Sequence, residues 1–381
     1  MESYLPVIWA AIIGLAVAMY VILDGFDLGI GILFPFAESD HERDQMMNSV
    51  APFWDGNETW LVLGGAGMMV AFPLAYSIIL PALYLPVIFM LLALVFRGVA
   101  FEFRWIGVTS KRHWTFAFAV GSTLAAFCQG LILGGLIQGI KVENNAFSGG
   151  AFDWATPFAV LCGLGLVAGY GLLGATWLVM KTEGSVARRA RSEAKLLLLV
   201  VLAFMAIVSI WTPFAFERIA VRWFSLPNIL FFWWVPAATL LVTFATWRWL
   251  ETGHEVLPFL ATIALFLLGY LGLLISNFPY LVPPSLTIWQ TAAAPATPRL
   301  HADGHAGDAA DHPRLYDLRI LDLRGKAARG RRLSLSRAAM PLAAAVGLWS
   351  NDRWRCLGIA LAAARRLMSG DTCWTRNLRP A

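Results

Sequence analysis

Two short stretches concentrate the side chains that could do chemistry. DGFDLGIG at 24–31 carries Asp24 and Asp27, and APFWDGNETWLVLGG at 51–65 carries Asp55 and Glu58. Each lies in or at the mouth of an apolar run, where a carboxylate is costly unless it faces a bundle interior, a partner or water. Desolvation favours a carboxyl's protonated form, so the chemistry on offer is proton exchange. Asp24 and Asp27, three residues apart, share one helix face. FRGVAFEFR at 96–104 adds Glu102 between Arg97 and Arg104.

Plainer readings stand beside these. Asp55 followed three residues on by Glu58 resembles a capping box, with Asp55 accepting from the first-turn amides and Glu58 favoured by the positive helix end. Trp54 and Trp60 suit an interfacial aromatic belt. Gly25 and Gly29 have the small-xxx-small spacing of close helix packing. Glu102 between two arginines reads as a salt-bridged helix end. GLGLVAG at 163–169 only approximates a dinucleotide fingerprint and lies inside an apolar run, so it is assigned to packing. For Asp24, Asp27 and Asp55 function is the favoured reading, because packing alone does not explain an acid in lipid.

The elements that must position these groups are membrane helices. The chain is 59% hydrophobic and 14% charged, against roughly 45–50% and 25% for a soluble domain. With a span of about 20 apolar residues as the ruler, runs occur near 7–34, 59–75, 77–96, 115–139, 156–180, 196–216, 229–249 and 257–277. The expectation is an all-α polytopic membrane protein with eight helices evident. Met1 to Pro6 lacks a basic n-region, so the first run is read as a retained span.

Lys and Arg set the orientation. With the N-terminus outside, the inside connections hold Arg43, Arg97, Arg104, Lys111, Arg112, Lys181, Arg188, Arg189, Arg191, Lys195 and Arg248. The outside connections hold only Lys141, Arg218 and Arg222. The N-terminus is therefore expected in the periplasm, and both acidic motifs on the cytoplasmic side.

Several function classes drop out. His41, His113 and His254 sit in loops or at helix ends, and His301, His305 and His312 follow the last apolar run, so none is placed as an axial haem ligand within the membrane. Cys128, Cys162, Cys356 and Cys373 show no metal-ligand spacing. No zinc-protease, P-loop or nucleophile-elbow motif occurs, and nothing suggests nucleic acid.

Taken in order, DGFDLGIG, NSVAPFWDGNETWL, FRGVAFEFR and FPYLVPPSLTIWQTAAAP (278–295) resemble the haem-free subunit II of cytochrome bd-type quinol oxidases, over Met1 to about Pro295. The NETW wording is similar to the cyanide-insensitive branch. The resemblance implies two four-helix bundles plus a ninth helix in a bacterial inner membrane. It implies a partner, subunit I, that carries the haems, oxidises quinol and reduces dioxygen. This chain would then bind no metal and no haem by itself, with a quinone and a small accessory membrane subunit as further candidates. It also implies that Asp55 and Asp24 help feed protons from the cytoplasm to the haem subunit, with Asp27, Glu58 and Glu102 as further candidates for the path. A proton-coupled secondary transporter is the alternative, although its acids belong at the midplane. A purely structural partner that shields the haem subunit is a third reading.

Domain organisation is expected as 1–297, the transmembrane domain, and 298–381, an atypical Arg/Ala-rich tail. From Arg299 onward there are 15 Lys and Arg, 7 Asp and no Phe. The apolar pieces at 338–349 and 356–364 are too short to span and are split by NDRWR. A ninth helix is due there, so a reading-frame shift near Ala296 to Arg299 is the expectation.

Overall fold

The structure, a computed structural model, describes residues 4–106 and 111–293. The expected tail at 298–381, with its three histidines and two cysteines, lies outside the described residues.

α1 (Leu5–Leu33) starts with Pro6 in its first turn, where a missing N–H costs nothing. A 3₁₀ turn, Phe34–Phe36, leads to α2 (Asp40–Asn48), whose N-cap Ser39 accepts from the Glu42 N–H at 3.2 Å. α3 (Trp54–Ala71) runs back beside α1. Asn57 reaches Leu23, Gly64 faces Val17 and Gly67 faces Ile13, so the two helices are antiparallel. The short α4 (Pro73–Ala82) precedes α5 (Tyr84–Ile106) and α6 (Lys111–Gln138).

A two-stranded hairpin, β1 (Val142–Glu143) and β2 (Ala146–Phe147), turns through Asn144 and Asn145, both at positive φ. α7 (Pro157–Lys181) and α8 (Gly184–Ala215) follow, then the short α9 (Glu217–Phe224) and α10 (Asn228–Phe232). α11 (Trp234–Glu251) and α12 (Leu257–Asn277) form the last long pair. A second hairpin, β3 (Tyr280–Val282) and β4 (Leu286–Thr287), and the single turn α13 (Ile288–Thr291) close the described chain.

α1, α6 and α7 pack on one another at the centre, with α3 against α1, α5 against α6, α8 against α7, and the α11–α12 pair beside α7 and α8. The main core fills the α2 end of the bundle, around Leu28, Ile30, Phe34, Met47, Leu172 and Leu173. A second core lies at the opposite end, under α4 and the β3–β4 hairpin, with Ile78, Leu83 and Val282 at its centre.

Among the described residues seven helices are long and apolar enough to cross a membrane. The expected run at 59–75 is the exception: its helix, α3, has 18 residues and opens on WDGNETW, too polar to count. The expected run at 77–96 needs correction. It is broken at Leu83, where α4 ends and α5 begins, so the span is Tyr84–Trp105. Pro73 and Pro81 restrict α4 to 10 residues, a half-length piece. α8, by contrast, has 32 residues, about 48 Å at 1.5 Å per residue. Its basic first third therefore extends past a hydrocarbon layer of about 30 Å, and the apolar part begins near Leu196 as expected.

Candidate functional site

The acidic motifs meet on one arginine. Arg97 of α5 is about 1% exposed, and its Nη1 lies 2.5 Å from Oδ1 of Asp24, also about 1% exposed. Arg97 Nη2 is 4.0 Å from Asp27 Oδ2, and Nη1 is 3.6 Å from Glu58 Oε1. Asn57 Nδ2 donates to Asp27 Oδ2 at 2.8 Å and to the Leu23 carbonyl at 3.3 Å. Three carboxylates from two helices thus face one guanidinium. Asp24 Oδ2 and Asp27 Oδ1 are buried with no hydrogen-bond partner among the described residues.

Close packing of α1 on α7 explains the convergence. Asp24 and Asp27 lie on the side of α1 that faces α5 and α3, while Gly25 and Gly29 lie on the side that faces α7. A Cβ on Gly29 would come 1.9 Å from the Tyr170 carbonyl oxygen, and one on Gly174 would come 2.4 Å from the Gly29 carbonyl carbon. Backbone contact of that kind needs glycine on both helices. The packing reading of Gly25 and Gly29 therefore holds, and it presses α1 into register with its acids turned the other way.

Beyond Asp24 a buried polar chain continues. Tyr170 donates to Gln129 Oε1 at 2.6 Å, and Gln129 Nε2 donates to the Tyr20 hydroxyl at 2.8 Å. Tyr20 is one turn before Asp24 on α1 and close to its carboxylate. Sequence reasoning missed Tyr20, Asn57, Gln129 and Tyr170. Asn57 sat inside the quoted motif, and Gln129 is a lone amide in the run AAFCQGLIL, a signal that a buried partner exists.

Other candidates lie apart. Asp55 is exposed in the first turn of α3. It is not the N-cap: Phe53 holds that position and no side-chain cap bond forms, so the capping-box reading is overturned. Trp60 is half-buried, while Trp54 packs its ring 5.1 Å from that of Phe101. Glu102 is exposed and in no ion pair among the described residues. Its salt-bridge reading is corrected, because Arg97 turns to Asp24 and Arg104 to Asp44 at 2.5 Å.

The α2 segment is clamped at the same end of the bundle. Glu42 accepts two bonds from Arg189, at 2.7 and 3.2 Å, and one from Ser185 at 2.8 Å. The Arg189 and Ser185 bonds hold its carboxyl at a pKa of about 2. Burial works against ionised Asp44, but bonds from Arg104 and Lys111 outweigh it and keep that carboxyl below its ordinary value. Among the described residues the three histidines are exposed at helix ends or in a loop, and no group of three His, Cys, Asp or Glu could hold a metal ion.

Residues 5–302 match the family model described as cytochrome bd terminal oxidase subunit II. Cytochrome bd-I ubiquinol oxidase subunit 2 of Escherichia coli K12 is 32% identical over 223 residues, 56% of this chain and 59% of the relative. Cytochrome bd ubiquinol oxidase subunit 2 of Bacillus subtilis is 29% identical over 224 residues, 55% of this chain and 65% of the relative. The matched segment thus spans less than two thirds of either relative's length. A chain of the bd oxidase structure from Geobacillus thermodenitrificans has the same fold, with a TM-score of 0.63 at 20% identity, covering 84% of this chain and 98% of that one. With most of its length matched by the family model and its helices arranged as in that structure, this multi-pass membrane chain belongs to the cytochrome bd terminal oxidase subunit II family.

Proposed function

We propose that this chain is the haem-free subunit of a bd-type ubiquinol oxidase of the bacterial inner membrane. It pairs with a haem-bearing subunit I that oxidises quinol and reduces dioxygen to water, and its α2-end acids assist proton uptake. The single observation that carries the proton role is a graded burial of carboxylates. Asp55 is exposed, Glu58 one turn on is 31% exposed, and Asp24 and Asp27 are about 1% exposed beside Arg97. A proton meeting Asp55 has a carboxylate at each step inward.

Charge gives the cluster its capacity. One guanidinium balances one carboxylate, so three ionised acids around Arg97 would leave two uncompensated charges in a low-dielectric interior. Such charges cost several kcal/mol each, and bound protons remove them. The basic residues at this end, Arg104, Lys111, Arg189 and Arg191, support a cytoplasmic assignment. The one-sided position of the acids and the family assignment both count against the proton-coupled transporter.

The test is quinol oxidase turnover of the purified complex with its haem spectrum recorded alongside. Asp55→Asn and Glu58→Gln remove titratable carriers while keeping shape, so turnover should fall by about 10²-fold or more with haem content retained. Full turnover in both variants, with assembly intact, would leave the chain a structural partner. A stoichiometric haem signal in the isolated chain would overturn the haem-free assignment.

A further inference from the structure

The end of the bundle away from α2 carries two cations, Arg218 and Arg222, with no ion-pair partner among the described residues. α6 marks the two ends: Lys111 at its start bonds Asp44 of α2, and Ile137 near its finish accepts from Arg218 of α9. Arg218 also reaches Asn277 Oδ1 at 3.5 Å, and Arg222, one turn on, reaches the Ile275 carbonyl at 3.5 Å. Among the described residues no carboxylate stands within ion-pair distance of either guanidinium. Burial lowers the Arg218 pKa and the nearby Arg222 adds to that, with Tyr280 opposing.

The plain explanation is that the arginines cap two helix ends, Arg218 that of α6 through the Ile137 carbonyl and Arg222 that of α12 through the Ile275 carbonyl. Each helix C-terminus carries about half a negative charge, so the two together do not balance two full positive ones. α9 is also held in place by a different contact, Trp223 Nε1 to Ser276 Oγ at 3.0 Å.

Beside Arg222 lies a crevice of about 300 Å³ lined by Phe232, Leu274, Ile275 and Phe278, at the low end of the volumes of small-molecule sites. Its rim is open: Leu274 is 49% and Phe278 50% exposed. The surrounding segment is strongly apolar on its outer surface, with Phe224, Leu226, Leu230, Phe231 and Trp233 all more than 60% exposed. Such an aromatic-rich belt marks the level where membrane meets water.

We propose that Arg218, Arg222 and the adjoining crevice bind one anionic phospholipid, its phosphate on the guanidiniums and the start of an acyl chain against Phe232, Leu274, Ile275 and Phe278. Two unbalanced cations select a net negative headgroup. The apolar walls, continuous with the exposed belt, select a lipid over free phosphate, which has nothing to place there.

The test takes the full chain with the subunits that copurify with it, strips lipid in mild detergent, and titrates it with phosphatidylglycerol or with phosphatidylcholine of the same chains. Native mass spectrometry counts bound lipid. One phosphatidylglycerol should bind at least about tenfold more tightly than phosphatidylcholine. Arg218→Gln with Arg222→Gln should abolish that preference, and Arg222→Lys should keep most of it. Leu274→Trp, which keeps both arginines and fills the crevice, should weaken phosphatidylglycerol retention by itself. Equal affinity for the two lipids, retention of the preference in the double Gln variant, or displacement of the lipid by inorganic phosphate alone would each overturn the proposal. So would a copurifying subunit shown by cross-linking to occupy the crevice.

Discussion

Asp24 on α1 and Arg97 on α5 form an ion pair at 2.5 Å with both side chains about 1% exposed, 73 residues apart in sequence. A pair this deeply buried is informative less for what it adds than for what its disruption leaves behind. Arg97→Met strands Asp24 and Asp27 without a cation, a loss of about 3–5 kcal/mol when one partner of a buried pair is removed. Asp24→Asn keeps an acceptor for Arg97 and leaves Asp27 and Glu58 to balance it, so it should cost less. Thermal unfolding of the detergent-solubilised chain should rank Arg97→Met well below Asp24→Asn. The reverse order would show that Arg97 is not the hub.

Gly29→Ala should be among the most damaging small changes in the protein. Its new methyl would stand 1.9 Å from the Tyr170 carbonyl oxygen, so α1 and α7 must separate. Gly56→Ala is the matched control, because nothing lies within 4 Å of a Cβ there. Helix propensity even favours the control by about 0.5–1 kcal/mol. Yield of folded protein by size-exclusion chromatography distinguishes the two, and equal yields would refute the close crossing.

The clamp between α2 and α8 should release in acid. Glu42 has a folded pKa of about 2 against an ordinary 4.5. A depressed carboxylate stabilises the fold above its unfolded value and loses that contribution as pH falls toward the folded one. The window is therefore about pH 4.5 down to 2, and Asp44, also depressed, acts in the same sense. Hydrogen exchange in α2 should rise through this window in the native protein. In Arg189→Ala it should begin to rise at a higher pH, because the largest cause of the depression is gone.

Gln129→Leu should cost about 1–3 kcal/mol, the penalty for leaving buried polar groups without partners. Tyr170 and Tyr20 would each lose a hydrogen bond, at 2.6 and 2.8 Å. Thermal unfolding measures the cost. Adding Tyr170→Phe to Gln129→Leu should restore part of it, since one of the two stranded hydroxyls is then removed.

The tail beyond residue 302 lies outside the family match. A reading-frame shift near Ala296 to Arg299 is our proposal for it. Resequencing the DNA and translating the other two frames should reveal about 20 apolar residues followed by a short basic end. If neither frame does so, and mass spectrometry finds the present tail in a working oxidase, the proposal fails.

Much of this protein was legible in its sequence because lipid imposes one dominant rule. Backbone polar groups must be satisfied within each span, so long apolar runs become helices wherever they occur. Seven helices announce themselves that way, and the two acidic motifs stand out because charge is rare among them. The break at Leu83 was missed, since the run 77–96 is apolar throughout and hydropathy does not register its prolines, Pro81 among them, although they limit α4. Nor did sequence decide which acids converge. It favoured Asp55 and tied Glu102 to its arginine neighbours, while the structure leaves both exposed and brings Glu58 to Arg97. Along a helix, a side chain's azimuth relative to another helix depends on the rotation and crossing of both. Here those are decided by the Gly29–Gly174 contact, which turns Asp24 and Asp27 toward α5. That choice belongs to packing between segments about 145 residues apart, and no local pattern of residues encodes it.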